Sequence, residues 1–148
     1  MTSTLVAYVG LFVSATLAAT VLPGQSEAVL LGLLLSEKYN WLMLLLIATI
    51  GNTLGSSVNW LIGINMARVK QYRWFPIKKA TIEKAEVWYQ KYGKWSLLLS
   101  WVPFIGDPLT VVAGILRERF TIFLTLVLIA KLGRYLVVAA VAYSLLQG

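Results

Sequence analysis

The 148-residue chain has no cysteine, no histidine and few charged residues. The missing residues exclude disulfides, thiolate and imidazole metal ligands, cysteine nucleophiles and histidine general bases. Charged residues make up 13% of the chain, against about 25% in soluble domains, and hydrophobic residues make up 59%. The composition predicts an integral membrane protein that is not an enzyme and that holds no metal or cofactor.

Positive charge is concentrated in one central stretch. Eight of the 13 Lys and Arg residues lie within residues 68–94, and Arg117 and Arg119 precede the last apolar run. Because apolar runs flank this stretch, the positive-inside rule predicts a cytoplasmic loop that attracts membrane lipid, and not a nucleic-acid-binding surface.

Two apolar runs are long enough to cross a membrane, which takes about 20 helical residues. The first, residues 41–64, carries no formal charge, and the second, residues 120–146, contains Lys131 and Arg134. Both are predicted to be transmembrane helices.

Two further apolar stretches are interrupted by proline, glycine and one carboxylate. Glu27 follows Pro23 by four residues, and Asp107 follows Pro103 by four residues. Proline breaks a helix, and backbone that is not helical is tolerated inside a membrane only where protein or a watery cavity covers it. Each stretch is therefore predicted to form a re-entrant helical hairpin.

The two halves of the chain resemble each other. Gly32 and Gly114 are 82 residues apart, as are Asn52 and Arg134. Because each hairpin returns to its own side and each span crosses once, the halves are predicted to be inverted repeats, with both termini outside, as in secondary transporters. The predicted all-α membrane domain covers residues 1–148, with repeats at 5–64 and 94–147 and a connector at 65–93.

Within the connector, residues 76–92 are predicted to form an amphipathic helix that ends at Gly93. We expect it to lie on the cytoplasmic membrane surface, with Trp88, Tyr89 and Tyr92 at the level of the lipid headgroups.

Four short motifs carry a family resemblance that covers roughly residues 20–145. They are Pro23-Gly24-Gln25-Ser26-Glu27 with Gly32, Gly51-Asn52 with Gly55, Tyr92-Gly93-Lys94, and Trp101-Val102-Pro103 with Ala113-Gly114. These motifs resemble those of the DedA family, also called the SNARE-associated or VTT-domain superfamily, in its short YqaA-like branch.

The resemblance implies a protein of the bacterial inner membrane. It also implies membrane transport, with lipid-carrier translocation and coupling to the proton gradient as the leading activities. Many members carry two arginines around the second-hairpin motif, where this chain has Ser100 and Gly106 and offers Asp107 one position along. The family's substrate is therefore not carried over.

The candidate proton-coupling residues are Glu27 and Asp107, one in each predicted hairpin tip. A carboxylate inside a membrane is costly and by default functional. The alternatives are a wetted boundary residue for Glu27 and an ordinary turn residue for Asp107.

The candidate substrate-binding residues are Arg134, Lys131 and Asn52. Lys131 lies 11 residues beyond Phe120, near the middle of its span, and Arg134 shares its helix face. An arginine fork suits a phosphate or carboxylate, and the alternative is an internal salt bridge to one of the two candidate carboxylates. Asn52 occupies the position equivalent to Arg134, and its alternative role is a hydrogen bond between packed helices.

The sequence thus predicts a small transporter or lipid translocase for an anionic lipid or small anion, in which protonation of Glu27 frees Arg134. The alternative is a membrane scaffold whose intramembrane charges form structural ion pairs. Because two spans and two hairpins enclose little space, we expect a homo-oligomer, a dimer first, with Gly51, Gly55 and Gly63 as one candidate contact face.

Overall fold

The computed structural model describes residues 2–20, 25–69, 79–101 and 106–148, and every regular element in these ranges is helical. This confirms the all-α prediction. The elements are α1 (Thr2–Thr20), α2 (Gln25–Leu35), α3 (Trp41–Val69), α4 (Lys79–Tyr92), the 3-10 helix η1 (Gly93–Trp101), α5 (Gly106–Ile115) and α6 (Phe120–Gln147). The predicted tip residues Pro23, Gly24 and Pro103 lie outside the described residues.

The two long helices are α3 and α6. Their segments Trp41–Asn65 and Phe120–Gln147 are long and apolar enough to cross a membrane, as predicted. Large apolar side chains on both helices remain exposed, for example Ile50 and Leu61 on α3 and Val137 on α6. Extended apolar surface of this kind suits contact with lipid.

Each long helix packs against short helices from both halves of the chain. Helix α3 packs against α1 of its own half and α5 of the other half, while α6 packs against η1 of its own half and α2 of the other. The two long helices also pack against each other. The long helix of each half is therefore covered in part by a short helix of the other half: α5 packs on α3, and α2 packs on α6.

Glycines allow the closest of these helix contacts. A Cβ on Gly63 would clash with the carbonyl oxygen of Val111, and one on Gly114 would clash with that of Trp60. A Cβ on Gly51 would lie 2.8 Å from the carbonyl oxygen of Phe12 in α1. The expectation that Gly51 and Gly63 form a dimer face is therefore wrong, because α1 and α5 of the same chain already cover them.

The short helices α2 and α5 both end in the same kind of turn. Glu37 after α2 and Arg117 after α5 both have φ 56°, a left-handed conformation that non-glycine residues seldom adopt. The N–H of Glu37 donates to the carbonyl of Leu34 (3.2 Å), and the N–H of Arg117 donates to that of Gly114 (3.0 Å). Both turns carry charged side chains at the ends of short apolar helices.

Helix α4 ends at Tyr92, and Gly93 has φ 64°, as predicted for a helix-ending glycine. Among its aromatic residues Tyr89 is buried, with 6% exposure, whereas Tyr92 is 48% exposed. The hydroxyl of Tyr89 donates to Oε2 of Glu118 at 2.5 Å. Tyr89 is therefore covered by the chain itself, and its level relative to the lipid headgroups stays a prediction. Burial and the Glu118 carboxylate raise the pKa of Tyr89 well above its ordinary value, so its hydroxyl remains a donor.

Candidate functional site

Four helix ends meet the middles of α3 and α6. They are the end of α1, the start of α2, the end of η1 and the start of α5. Side-chain hydrogen bonds establish these contacts: Asn52 Nδ2 to the carbonyl of Ala15 (2.9 Å), Asn59 Nδ2 to Thr110 Oγ1 (3.2 Å), Lys131 Nζ to the carbonyl of Ser100 (3.0 Å), and Ser26 Oγ with Tyr135 OH (2.8 Å).

An ion pair between Glu27 and Arg134 lies where α2 packs against α6. Nη2 of Arg134 contacts Oε1 of Glu27, and the two side chains are 12% and 22% exposed, respectively. Glu27 lies in the first turn of α2, where the helix dipole favours a negative charge. Of the arrangements that the sequence left open for Arg134, the structure contains the internal pair with Glu27.

A second contact, which the sequence did not predict, lies beside the ion pair. The hydroxyls of Ser26 and Tyr135 are 2.8 Å apart, and both residues are fully buried. Each is the chain neighbour of an ion-pair residue, so two adjacent polar contacts fix the start of α2 on α6. A polar residue beside each predicted charge is the only sequence signal for this bond.

Lys131 is fully buried one turn before Arg134. Its Nζ donates to the carbonyl oxygen of Ser100 at 3.0 Å. The two cations, which share one face of α6, thus contact different helices: Lys131 contacts η1 and Arg134 contacts α2.

A polar ridge on α3 faces the same region. Asn52, Ser56 and Asn59 share one helix face, and all three are buried. The Oδ1 of Asn52 and the Oγ of Ser56 accept or donate no hydrogen bond within the part of the chain that the structure describes. Because an unpaired buried polar atom costs about 1–3 kcal/mol, such a place is suited to water or a polar ligand.

Asp107 is the one predicted site residue whose side chain lies outside the described part of the structure, although its backbone belongs to the first turn of α5. Its proposed role in proton coupling stays a prediction.

The chain was compared with known proteins. A family model for the VTT domain matches residues 22–144. Proteins called "Inner membrane protein YqaA" in Escherichia coli (strain K12) and Shigella flexneri are each 41% identical over 132 residues, which cover 88% of this chain and 87% of theirs. An uncharacterized protein of Haemophilus influenzae is 38% identical over 136 residues, covering 84% of this chain and 80% of its own. No solved structure matches the chain significantly.

The family match covers both halves of the chain and the whole central region. The names of the E. coli and S. flexneri relatives place those proteins in the inner membrane, which supports a bacterial inner-membrane location for this chain. These matches confirm the resemblance that the hairpin motifs predicted: the chain is a membrane protein of the VTT-domain (DedA) family.

Proposed function

We propose that the chain is a small membrane transporter or lipid translocase for an anionic substrate, coupled to proton movement. The observation that carries this proposal is the Glu27–Arg134 ion pair, which joins the first turn of a short apolar helix to the middle of a membrane-spanning helix. Helix starts of this kind, aimed at the middle of a membrane, bind anionic substrate groups in known transporters.

The proposed architecture is a pair of inverted repeats with re-entrant hairpins. It is supported by the reciprocal packing, in which α3 holds α5 and α6 holds α2. It is also supported by the matching left-handed turns at Glu37 and Arg117. Alternating access in this class occurs by movement of one repeat against the other around a central site.

The proposed mechanism is an exchange of partners at Arg134. A deprotonated Glu27 holds the guanidinium in the internal pair, and protonation of Glu27 releases it. The released fork then binds the phosphate or carboxylate of the substrate through two parallel hydrogen bonds. Proton and anion would thus move together, which is a symport and needs no histidine.

The other candidate residues act around this exchange. Asn52 and Ser56 line the α3 side of the region, and Lys131 lowers the cost of bringing a negative charge close to α6. Asp107 is the second candidate for proton transfer.

The test is transport by purified protein in proteoliposomes, with and without a pH gradient, using fluorescent phosphatidylglycerol and inorganic phosphate as probes. We expect Arg134→Ala to lose anion binding and transport at every pH. Glu27→Gln should bind the anion but lose the pH dependence, and the exposed Lys38→Ala serves as the matched control. Wild-type protein that moves neither probe faster than empty liposomes, with or without the gradient, would contradict the proposal.

A scaffold is the second candidate, and one observation favours it: both intramembrane cations have partners within the chain. The double variant Glu27→Arg with Arg134→Glu separates the two functions. A transporter should fold but lose transport, because the cation has moved to another helix. A scaffold should keep both its fold and its cellular phenotype.

A further inference from the structure

Two buried hydroxyls in the middle of α3 have no hydrogen-bond partner among the residues that the structure describes. They are Oγ1 of Thr53, which is 4% exposed, and Oγ of Ser56, which is fully buried. Thr53 is the middle residue of the candidate span Trp41–Asn65. Polar side chains at this depth of a membrane are costly and face the protein interior or a water-filled cavity. Because a buried hydroxyl without a partner is destabilising, contact with water would stabilise both of them.

Other hydroxyls of the same helix bond to the helix itself. Thr49 donates to the carbonyl of Leu45 (2.8 Å), and Ser57 donates to that of Thr53 (3.0 Å), which is a common bond of serine and threonine inside a helix. Thr53 and Ser56 do not form this bond. Since both residues are buried, their hydroxyls face the helices that pack against α3 and not their own backbone.

The two hydroxyls lie between contacts that α3 makes with opposite halves of the chain. One turn before Ser56, Asn52 donates from Nδ2 to the carbonyl of Ala15 in α1 (2.9 Å). One turn after Ser56, Asn59 donates from Nδ2 to Oγ1 of Thr110 in α5 (3.2 Å). The covering of α3 thus changes here from a helix of the first half to a helix of the second half. We call the two residues with unpaired hydroxyls the α3 seam.

The helices on both sides of the α3 seam approach α3 closely. A Cβ on Gly51 would lie 2.8 Å from the carbonyl oxygen of Phe12 in α1, and one on Gly63 would clash with the carbonyl oxygen of Val111 in α5. Water therefore reaches the seam only when one of these short helices moves. A movement of the second half against the first, as in alternating access, would separate α5 from α1 at this place.

We propose that Thr53 and Ser56 line a water-filled path in a second conformation of the protein. The path opens when the bond between Asn59 and Thr110 breaks and α5 moves away from α1. Water then hydrates both hydroxyls, which offsets the loss of that bond. The path admits water and the hydrophilic part of the substrate to the middle of the membrane. The proposal deepens the proposed transport function and rests on it.

Cysteine labelling tests the path directly, because the chain has no cysteine of its own. Ser56→Cys places one thiol of similar size in the α3 seam. The probe is the anionic reagent sulfonatoethyl methanethiosulfonate, added to proteoliposomes, and the modification is followed by the mass of the intact protein. It attacks the thiolate, which forms in water and hardly in apolar surroundings, so Ser56→Cys should react at least about tenfold faster than a dry control.

Two controls lie on the same helix. Ala48→Cys places the thiol in the apolar core of the first half, and Val58→Cys places it on the exposed apolar surface. A rate for Ser56→Cys no higher than that of either control would overturn the proposal. If Ser56→Cys does not fold, as judged by circular dichroism, Thr53→Cys takes its place under the same criterion.

The contact between α3 and α5 supplies a second readout. Thr110→Val removes the acceptor of Asn59 with little change of shape, so the open conformation should be more populated. Labelling of Ser56→Cys should then become roughly two- to tenfold faster, as expected for the loss of one hydrogen bond. Thr125→Val, which removes an exposed hydroxyl on α6, is the matched control and should leave the rate unchanged. Unchanged labelling in Thr110→Val would overturn the assigned opening at α5.

Labelling needs no substrate, so its failure and the failure of the transport function are distinguishable. Rapid labelling without transport of either probe would support the path and contradict the transport function. Transport with slow labelling of the α3 seam would contradict the path alone.

Discussion

Lys131 and Arg134 lie one turn apart on α6 and contact opposite halves of the molecule. Nζ of Lys131 donates to the carbonyl oxygen of Ser100 at 3.0 Å, and Arg134 forms an ion pair with Glu27. One helix turn thus fixes both η1 and α2, and any movement of one half against the other has to change at least one of these contacts.

Hydrogen exchange should separate the two contacts. Arg134→Gln removes the ion pair and should raise amide exchange mainly in residues 25–35. Lys131→Met removes the donor to Ser100 and should raise it mainly in residues 93–101. Exchange measured by mass spectrometry in detergent is the test, and the same pattern in both variants would contradict the separate roles.

Glu27 and Arg134 should be energetically coupled. Because the pair is largely buried, Glu27→Gln and Arg134→Gln should each lower the free energy of unfolding. The double variant should lose less than the sum, with a coupling of about 1–3 kcal/mol. A double-mutant cycle by denaturant unfolding measures this value, and additive effects would show that the two side chains do not stabilise each other.

Gly114 and Gly32, at corresponding positions of the two halves, should respond oppositely to alanine. The new Cβ of Gly114→Ala would meet the backbone of Trp60, so we expect a loss of about 3 kcal/mol. Nothing lies within 4 Å of the Cβ of Gly32→Ala, so helix propensity should leave stability unchanged or raise it by up to about 1 kcal/mol. Thermal unfolding of the two variants checks this contrast.

Tyr89 should make stability depend on alkaline pH. Because its pKa is raised in the folded protein, the folded state keeps a proton that the unfolded state loses above about pH 10. The stabilisation is therefore full below that pH and declines above it. Tyr89→Phe should lower stability by about 1–2 kcal/mol at neutral pH and show a shallower alkaline decline. Unfolding between neutral and alkaline pH tests this, and parallel curves for variant and wild type would contradict it.

The sequence predicted the elements better than their contacts. The spans were found because uninterrupted apolar length is a direct physical requirement of a membrane. The partner of Arg134 could be predicted, because carboxylates are few and Glu27 closely follows Pro23 and Gly24 in the sequence. The partner of Lys131 was not, because it is a backbone carbonyl, which every residue has.

The faces of helices were harder to predict than their ends. The aromatic side of α4 suits both a lipid surface and a protein interior, so its sequence did not reveal that Tyr89 is buried. Likewise, small residues permit close helix contact whether the partner is the same chain or a second copy. For Gly51 and Gly63 the partners are α1 and α5 of the same chain.

The contacts between α2 and α6 have a consequence for biosynthesis. Ser26 and its partner Tyr135 are 109 residues apart, so at about 5–20 residues per second the ribosome needs about 5–20 s to make the second after the first. During that interval Glu27 is already part of the nascent chain, but Arg134 does not yet exist. Helix α2 therefore reaches its final place on α6 only after translation of the last helix, and until then Glu27 has no Arg134 as its counter-ion.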